Sequence, residues 1–396
     1  MIVENESTVC VRCLMDTSHT EITFGLDGVC NFCKGFEQNI AKQRRPPGEL
    51  EKGLQERIER IRIDGRGREH DCILGVSGGV DSSYLALKCK DWNLRPLLVQ
   101  FDNGWNSELA VNNIQALCNS LSFDLYTYVV NWPEFRDLQM AFLKAGVVNV
   151  EAPSDHGIFA CIYLEAIKRK IPWLLTGVNS ATESNSPVGK FEGQAFTYGY
   201  RYDDLHHLKA IHREFGTVAL KTFPTIGWTR KLYIEKKLVK RLDALNWMQY
   251  NKADAINELQ LRIGWRPYPG KHFESVITRF HQSYILPTKF GLDKRRLHLS
   301  GLIWSQQLTR AEAITEFSKP ICDPKLLEQD KTFFLKKMKL SAAELKTLME
   351  SPPQHFSRYS NLNWLYLGVS RLFKMRRWIR SWGGRFRKNS GNALNP

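Results

Sequence analysis

The sequence predicts an α/β protein: a parallel, doubly wound sheet with a small metal-binding ribbon before it and a helical region after it. Three observations carry this. Between residues 70 and 180, short apolar runs alternate with helix-like stretches. The first run passes straight into the glycine-rich segment Ser77-Gly78-Gly79-Val80-Asp81-Ser82-Ser83. Two Cys-x-x-Cys pairs stand near the N-terminus.

The ribbon occupies residues 1–36. Cys10, Cys13, Cys30 and Cys33 follow the spacing C-x2-C-x16-C-x2-C. Two such turns can present four thiolates to one tetrahedral Zn²⁺. Gly25 and Asp27-Gly28 supply turn chemistry between them. Four thiolates leave no open coordination position, so the zinc is structural. Disulfides and an iron–sulfur cluster compete, and a reducing cytosol disfavours the disulfides. Residues 37–69 are charged and read as a linker helix ending near Asp64-Gly65.

Strands are expected at 73–76, 96–101, 125–130 and 173–176, with helices at 81–90, 107–121 and 155–170. Unbroken apolar strands separated by helices belong to a parallel sheet covered on both faces. This domain is expected over 70–250. From about residue 201 the pattern is mainly helical, with basic runs such as Lys236–Arg241. A helical substrate or partner region follows over 251–355, and a basic tail over 356–396.

Of 396 residues, 56 are Lys or Arg and 41 Asp or Glu, a net charge of +15. With 43% hydrophobic residues the composition is globular, which excludes a disordered or collagen-like chain. No apolar run reaches the roughly 18 residues of a membrane span. The start, MIVENESTVC, lacks the pattern of a signal peptide, so a cytoplasmic protein is expected. Residues 371–396 hold eight Lys/Arg and no acid, leaving +7 for the rest. That remainder suits a site for phosphorylated small molecules as well as RNA. In the tail, Leu365, Leu372, Ile379 and Phe386 recur every seventh residue among arginines. This is a basic amphipathic helix for an anionic membrane surface, a partner groove or its own domain.

The strand–SGGVDSS–helix arrangement has the physics of an anion site. Two glycines admit a ligand to the backbone, and the helix N-terminus offers N–H groups and a positive dipole end. Asp81 beside phosphate calls for Mg²⁺ or a capping role. The segment is neither GxxxxGK[ST] nor GxGxxG. Asp102 stands at a strand end, where such sheets bind ligands, or forms the turn before Asn103-Gly104. Thr176, Gly177 and Asn179 end the last strand at the same rim, followed by Glu183. Asp155 is either a favourable charge at a helix start or a metal or substrate contact.

This loop resembles that of the PP-loop ATP pyrophosphatase superfamily, with its adenine nucleotide alpha hydrolase-like fold. The resemblance implies that ATP is split to AMP and pyrophosphate. Ser77, Gly78, Gly79, Asp81 and Ser82 would hold the pyrophosphate. The remaining motifs narrow the match. They are CVRCLMDTSHTEITFGLDGVCNFC, TGVNSATES, Gly264-Trp265-Arg266-Pro267-Tyr268, Lys271-His272-Phe273-Glu274-Ser275, Thr278-Arg279-Phe280, Lys289-Phe290-Gly291 and Asp293–Ser300. As a set they resemble the N-acetyl sugar amidotransferases of bacterial surface-polysaccharide (LPS O-antigen) biosynthesis, over roughly residues 10–350.

That resemblance implies conversion of an acetamido group on a nucleotide-activated sugar into an acetamidino group. Amide oxygen attacks ATP, giving an adenylated imidate that ammonia displaces. ATP, Mg²⁺ and Zn²⁺ are the expected cofactors. Asp81, Asp155, Lys271 and His272 are the catalytic candidates. Arg279, Lys289, Lys294, Arg295, Arg296 and His298 supply further basic candidates, and Glu274 one for a sugar hydroxyl. The chain shows no glutaminase of its own. Ammonia is expected from a separate glutaminase with a barrel-type, cyclase-like partner. No nucleic acid is expected, and the tail suggests peripheral contact with the inner membrane.

A tRNA-thiolating enzyme is the competing reading, since such enzymes also pair CxxC knuckles with SGGxDS. It would need a catalytic cysteine, for which Cys161 is the candidate. A zinc-ribbon scaffold with a vestigial nucleotide fold is the non-enzymatic alternative.

Overall fold

The computed structural model describes residues 8–43, 47–179 and 199–369. Two cysteine turns lead into α1 (Asn31–Gln43) and α2 (Pro47–Asp64). Then follow β1 (Cys72–Gly75), α3 (Val80–Asp91), β2 (Pro96–Asp102), α4 (Glu108–Leu121), β3 (Leu125–Val129), α5 (Trp132–Ala145), α6 (Ala152–Lys168) and β4 (Trp173–Thr176). After α7 (Leu205–Phe215) and α8 (Trp228–Tyr233) come β5 (Lys240–Asp243) and α9 (Lys252–Ile263).

The five strands form one sheet in the order β3-β2-β1-β4-β5, every neighbouring pair parallel. Alternate side chains enter two cores, as the two-residue period of a strand requires. Ile73, Leu97, Val99, Phe101 and Leu174 face α5, α6 and α7. Cys72, Leu74, Leu98, Leu175 and Leu242 face α2, α3, α4 and α9. The predicted doubly wound parallel sheet is therefore present. Strand order reverses beside β1, so the exits of β1 and β4 are neighbours. Crevices at such points bind ligands in open α/β sheets.

The expected strands and helices appear within a few residues. Two elements were missing from the sequence reading. Helix α5 had legible signals: Asn131 caps it through Glu134 N, Pro133 opens it, and Phe135, Leu138 and Phe142 share its buried face. Strand β5 had none. It reads Lys-Arg-Leu-Asp, with Leu242 its one buried residue, and it looked like part of a basic helical run. A polar edge strand lacks the apolar run that marks central ones.

The region beyond Ile263 is helical, as expected. It contains α10 (Val276–Phe280), a π-helical turn at His281–Ile285, α11 (Leu286–Phe290), α12 (Arg295–Trp304), α13 (Arg310–Phe317), α14 (Pro324–Met338) and α15 (Ala342–Glu350). Helices α10, α14 and α15 share the core of the sheet, whereas α12 and α13 pack with the ribbon. Phe334 stacks on Trp105 and Phe280, with ring centroids 5.9 and 4.7 Å apart. The N-terminal ribbon docks on α12 and α13. Leu14 N–H donates to Ser300 Oγ (3.1 Å), and Arg310 reaches the Cys10 carbonyl (3.3 Å). Arg296 binds the Leu14 carbonyl and buried Asp16, both at 3.0 Å. No helix among the described residues is long and apolar enough to cross a membrane. The amphipathic pattern from Leu372 onward and Glu183 lie outside the described residues.

Arg279 on α10 and Asp330 on α14 form a buried two-pronged ion pair, both contacts 2.6 Å. Asp330→Ala strands the guanidinium and is expected to cost about 3–5 kcal/mol. Urea denaturation of the variant against the parent chain checks this.

Candidate active site

The β1–α3 turn is shaped by Gly78, at φ +79°. A Cβ there would lie 2.7 Å from the Ala110 carbonyl oxygen, so only glycine fits. The Gly78 carbonyl accepts from Trp265 Nε1 (2.9 Å) and the Tyr268 hydroxyl (3.0 Å). Asn113 on α4 holds those two side chains' segment. Its amide donates to the Arg266 carbonyl (2.9 Å) and Tyr268 hydroxyl (3.2 Å), and accepts from Arg266 N–H (2.9 Å). Within the turn, Gly79 N–H donates to Ser77 Oγ (3.3 Å) and Ser77 N–H to Ser82 Oγ (3.4 Å). Gly79 caps α3 without a side-chain hydrogen bond. The first-turn N–H groups are thus left for an anionic ligand.

The turn opens on a cleft of about 1330 Å³. Ser77, Gly79, Asp81 and Ser82 line it, with Thr176 and Gly177 beside them. Gly78 supports the turn from behind. Asp81 accepts a hydrogen bond from the Tyr250 hydroxyl. Thr176 Oγ1 donates to Asp243 on β5 (2.6 Å). A Cβ on Gly177 would stand 3.0 Å from the Asp81 backbone, so β4 passes tight against the start of α3.

Besides Gly78, two predicted nucleotide-binding residues stand outside the lining. Asn179 is buried, and its amide donates to the Gly177 carbonyl (3.2 Å). Asp102 accepts from Gly104 N–H (2.8 Å) and the Asn106 amide (3.4 Å), which is the turn-forming arrangement. Asp155, in the first turn of α6, lines the cleft, as do Lys271 and His272.

The basic block divides. Lys271, Lys294 and His298 line the cleft, and Lys271 Nζ lies 3.3 Å from His298 Nδ1. Arg295 also lines it, but Asp293 (2.8 Å) and the Lys319 carbonyl (2.7 Å) pin it. Arg279 is committed to Asp330, Arg296 to the ribbon, and Lys289 to Ser351 Oγ (2.8 Å) and the Leu348 carbonyl.

The cleft also holds Glu274, the candidate for a sugar hydroxyl, and Glu151, which sequence reasoning did not place. Glu151 faces His281 Nδ1 (3.0 Å) and accepts from the Thr278 hydroxyl. Burial would raise its carboxyl, but His281, Lys294 and Thr278 outweigh burial and hold it down to about 2. Glu274 Oε1 lies 3.5 Å from His272 Nδ1. Burial raises that carboxyl too, yet His272 and Lys271 leave it below its ordinary range. Burial and the neighbouring lysines push His272 below its ordinary value. Glu151 and His281 lie 130 residues apart in the chain and left no pairing signal. Trp265 and Tyr268 stood in a quoted motif, but nothing in that motif announced a carbonyl to be held.

The four ribbon cysteines are buried, and their sulfurs lie within 4.8 Å of one another. Cys10 and Cys33 Sγ are 3.9 Å apart, and Cys13 and Cys30 Sγ 3.7 Å. A tetrahedral zinc with bonds of about 2.3 Å has sulfur–sulfur edges of about 3.8 Å, so the set fits this metal. Arg12 N–H, Cys30 N–H and Trp304 Nε1 point at these sulfurs, as donors to thiolates do. Crowding alone sets the thiols against one another. Hydrogen bonding with its neighbours raises the Cys13 thiol far above its ordinary value and depresses that of Cys30.

Residues 274–372 match the family model described as "LPS biosynthesis protein WbpG-like, C-terminal domain". The matched segment begins at Glu274 and carries Thr278, Lys294 and His298, which line the cleft. Among solved structures, the chain is similar to NMN synthetase from Francisella tularensis, at 14% identity and TM-score 0.29, covering 58% of this chain and 100% of that one. It is also similar to the NH3-dependent NAD synthetase from Campylobacter jejuni, at 11% identity and TM-score 0.29, covering 74% and 95%. No curated protein matches the chain.

Two outcomes check the site. Gly78→Ala should lower ATP affinity at least tenfold in titration calorimetry while leaving the far-ultraviolet spectrum in place. Metal analysis should find zinc in the parent chain and none in Cys10→Ser, with proteolysis of the variant beginning around α12.

Proposed function

We propose that the chain is an ATP-dependent ligase of LPS biosynthesis, more specifically an N-acetyl sugar amidotransferase. It would convert an acetamido group of a nucleotide-activated sugar to an acetamidino group. The observation that carries this is the junction of two parts. An SGGVDSS turn at the β1 exit opens on a cleft that residues of the WbpG-like segment also line. The sequence motifs on both sides resemble those of such amidotransferases.

The residues suit the chemistry. An amide oxygen is a weak nucleophile and a poor leaving group, so it is first adenylated. As it attacks the α-phosphorus, pyrophosphate departs onto Ser77, Gly79, Ser82 and the start of α3. Magnesium, held by Asp81 with the phosphates, would supply charge neutralisation. Lys271 and Lys294 add positive charge from the segment that follows the sheet. Ammonia then adds to the imidate carbon and AMP leaves with the former amide oxygen. The ammonia is proposed to come from a separate glutaminase with a barrel-type partner. A cytoplasmic location, with the basic tail resting on the inner membrane, would bring the enzyme to its pathway.

The tRNA-thiolating reading is weaker here. Burial pushes the Cys161 thiol up to about 12, and Cys161 lies outside the cleft lining. Cys322 lines the cleft, but burial raises its thiol as well.

The test is mass spectrometry of a nucleotide-sugar panel incubated with the protein, MgATP and ammonium. An amidine product carries NH in place of one oxygen, and AMP should appear in parallel. Asp81→Ala should lower both by at least 100-fold, the scale expected when phosphate charge is left uncompensated. AMP release driven by tRNA and by no sugar would establish the thiolating reading instead.

A further inference from the structure

We propose that His272 is the general base that takes a proton from the entering ammonium, and that Glu274 is the residue that positions it. The proposal rests on the amidotransferase reading of the cleft.

Three observations converge on this pair. The first is backbone geometry. His272 has φ +62°, a left-handed conformation that a residue with a β-carbon rarely adopts. Such residues persist where the surroundings demand a particular side-chain direction. The preceding turn is built for it. A Cβ on Gly270 would lie 2.4 Å from the Phe273 ring, so a larger residue there would displace that ring. The Ser275 N–H closes the turn onto the His272 carbonyl (3.3 Å).

The second is pairing. Nδ1 of His272 faces Glu274 Oε1 at 3.5 Å, and 30% of the imidazole remains exposed within the cleft. A carboxylate on Nδ1 fixes the proton there and leaves Nε2 as the basic nitrogen. Contacts of this kind shorten once substrate fills a site.

The third is location. The same Glu274 oxygen is 3.3 Å from where a Cβ of Gly79 would stand. The pair therefore sits against the turn that receives the pyrophosphate. Its backbone is anchored as well. Ser107 N–H donates to the Glu274 carbonyl (2.9 Å), and Val276 N–H to the Trp105 carbonyl (2.8 Å).

The charged groups around the ring act in opposing senses. Lys271 on the same turn and Lys294 beside α12 disfavour the imidazolium, and Glu274 favours it. With burial added, the ring is neutral at physiological pH, as a base must be. The base form is lost as pH falls through that lowered value.

The step balances. One N–H bond of ammonium breaks and its proton passes to Nε2. The freed lone pair forms the C–N bond to the imidate carbon. The C–O bond to the adenylyl group breaks, and its electron pair leaves with AMP. The imidazolium returns its proton to solvent.

The test compares two half-reactions across pH, with ammonium as the nitrogen source. Acceptor-dependent ATP–pyrophosphate exchange reads adenylation, and product mass reads amidine formation. In His272→Gln, amidine formation at neutral pH should fall about 10²–10⁴-fold. That loss should exceed the loss of exchange at least tenfold. It should shrink at alkaline pH, where ammonia is already free. In Glu274→Gln, the acid limb of the amidine profile should move to lower pH, because the group that favours the imidazolium is gone. Equal loss of both half-reactions, or a deficit that does not shrink with pH, would overturn the proposal. Nitrogen NMR of histidine-labelled protein gives a reading that needs no substrate. His272 should carry its proton on Nδ1 in the parent chain and redistribute it in Glu274→Gln; the same tautomer in both overturns the pairing. A parent chain that makes no amidine from any sugar sinks the amidotransferase reading, and the base with it. The NMR result then still decides whether Glu274 orients His272.

Discussion

The carbonyl oxygen of Gly78 has to point away from whatever anion the turn binds. Turning it away leaves a polar atom facing the interior, where an unpaired acceptor is costly. Trp265 and Tyr268 meet that demand together. The consequence reaches far along the chain. The segment that supplies them lies some 190 residues downstream, and it must be fixed in place before the turn can be. Asn113 fixes it to α4, and the pairing of Asn106 with Ser275 continues the seam. An anion site at the head of the sheet is thus completed by residues that follow the sheet.

The same logic explains why the ribbon belongs to this molecule. Its sulfurs are remote from the turn, and four thiolates leave no position for chemistry. Its cysteine turns instead grip α12 from outside. Ser300, Arg296 and Trp304 bind the ribbon, while Lys294 and His298 at the other side of that segment line the cleft. A short helix ten residues long is poorly stable by itself. Packed against the cysteine ribbon and α13, it holds its cationic side chains in one arrangement.

The legible part of the fold followed directly from apolar runs. Ile73–Val76 and Pro96–Phe101 are buried on both faces, and such strands announce themselves. Strand β5 did not, because an edge strand needs neither an apolar run nor alternation. The glycine turn was legible because anion binding requires glycines and a helix start in a fixed order. Asp102 shows the limit of that reasoning. Its place at a strand end fits a ligand contact and a turn equally, and only the hydrogen bonds from Gly104 and Asn106 tell them apart. Glu151 with His281, and Arg279 with Asp330, were illegible for another reason. Each pair joins segments distant in sequence, and charge in a sequence does not reveal its partner. The basic block suffered most from this. Its density suggested many phosphate contacts, yet Arg279, Arg296 and Lys289 are spent on carboxylates, carbonyls and a hydroxyl inside the protein.

What remains in the cleft after that accounting is a mixed field rather than a positive one. Lys271, Lys294 and His298 face two carboxylates, Glu151 and Glu274, that are held ionised. A site for phosphate alone gains nothing from buried carboxylates near its anion turn, since like charges at short range repel strongly where water is scarce. They make sense if a cation must also pass through. The proposed reaction brings an anionic nucleotide and a nitrogen nucleophile that is mostly cationic in water to one carbon atom. A cleft that carries both signs of charge meets both demands, and a purely basic one would repel half of the reaction.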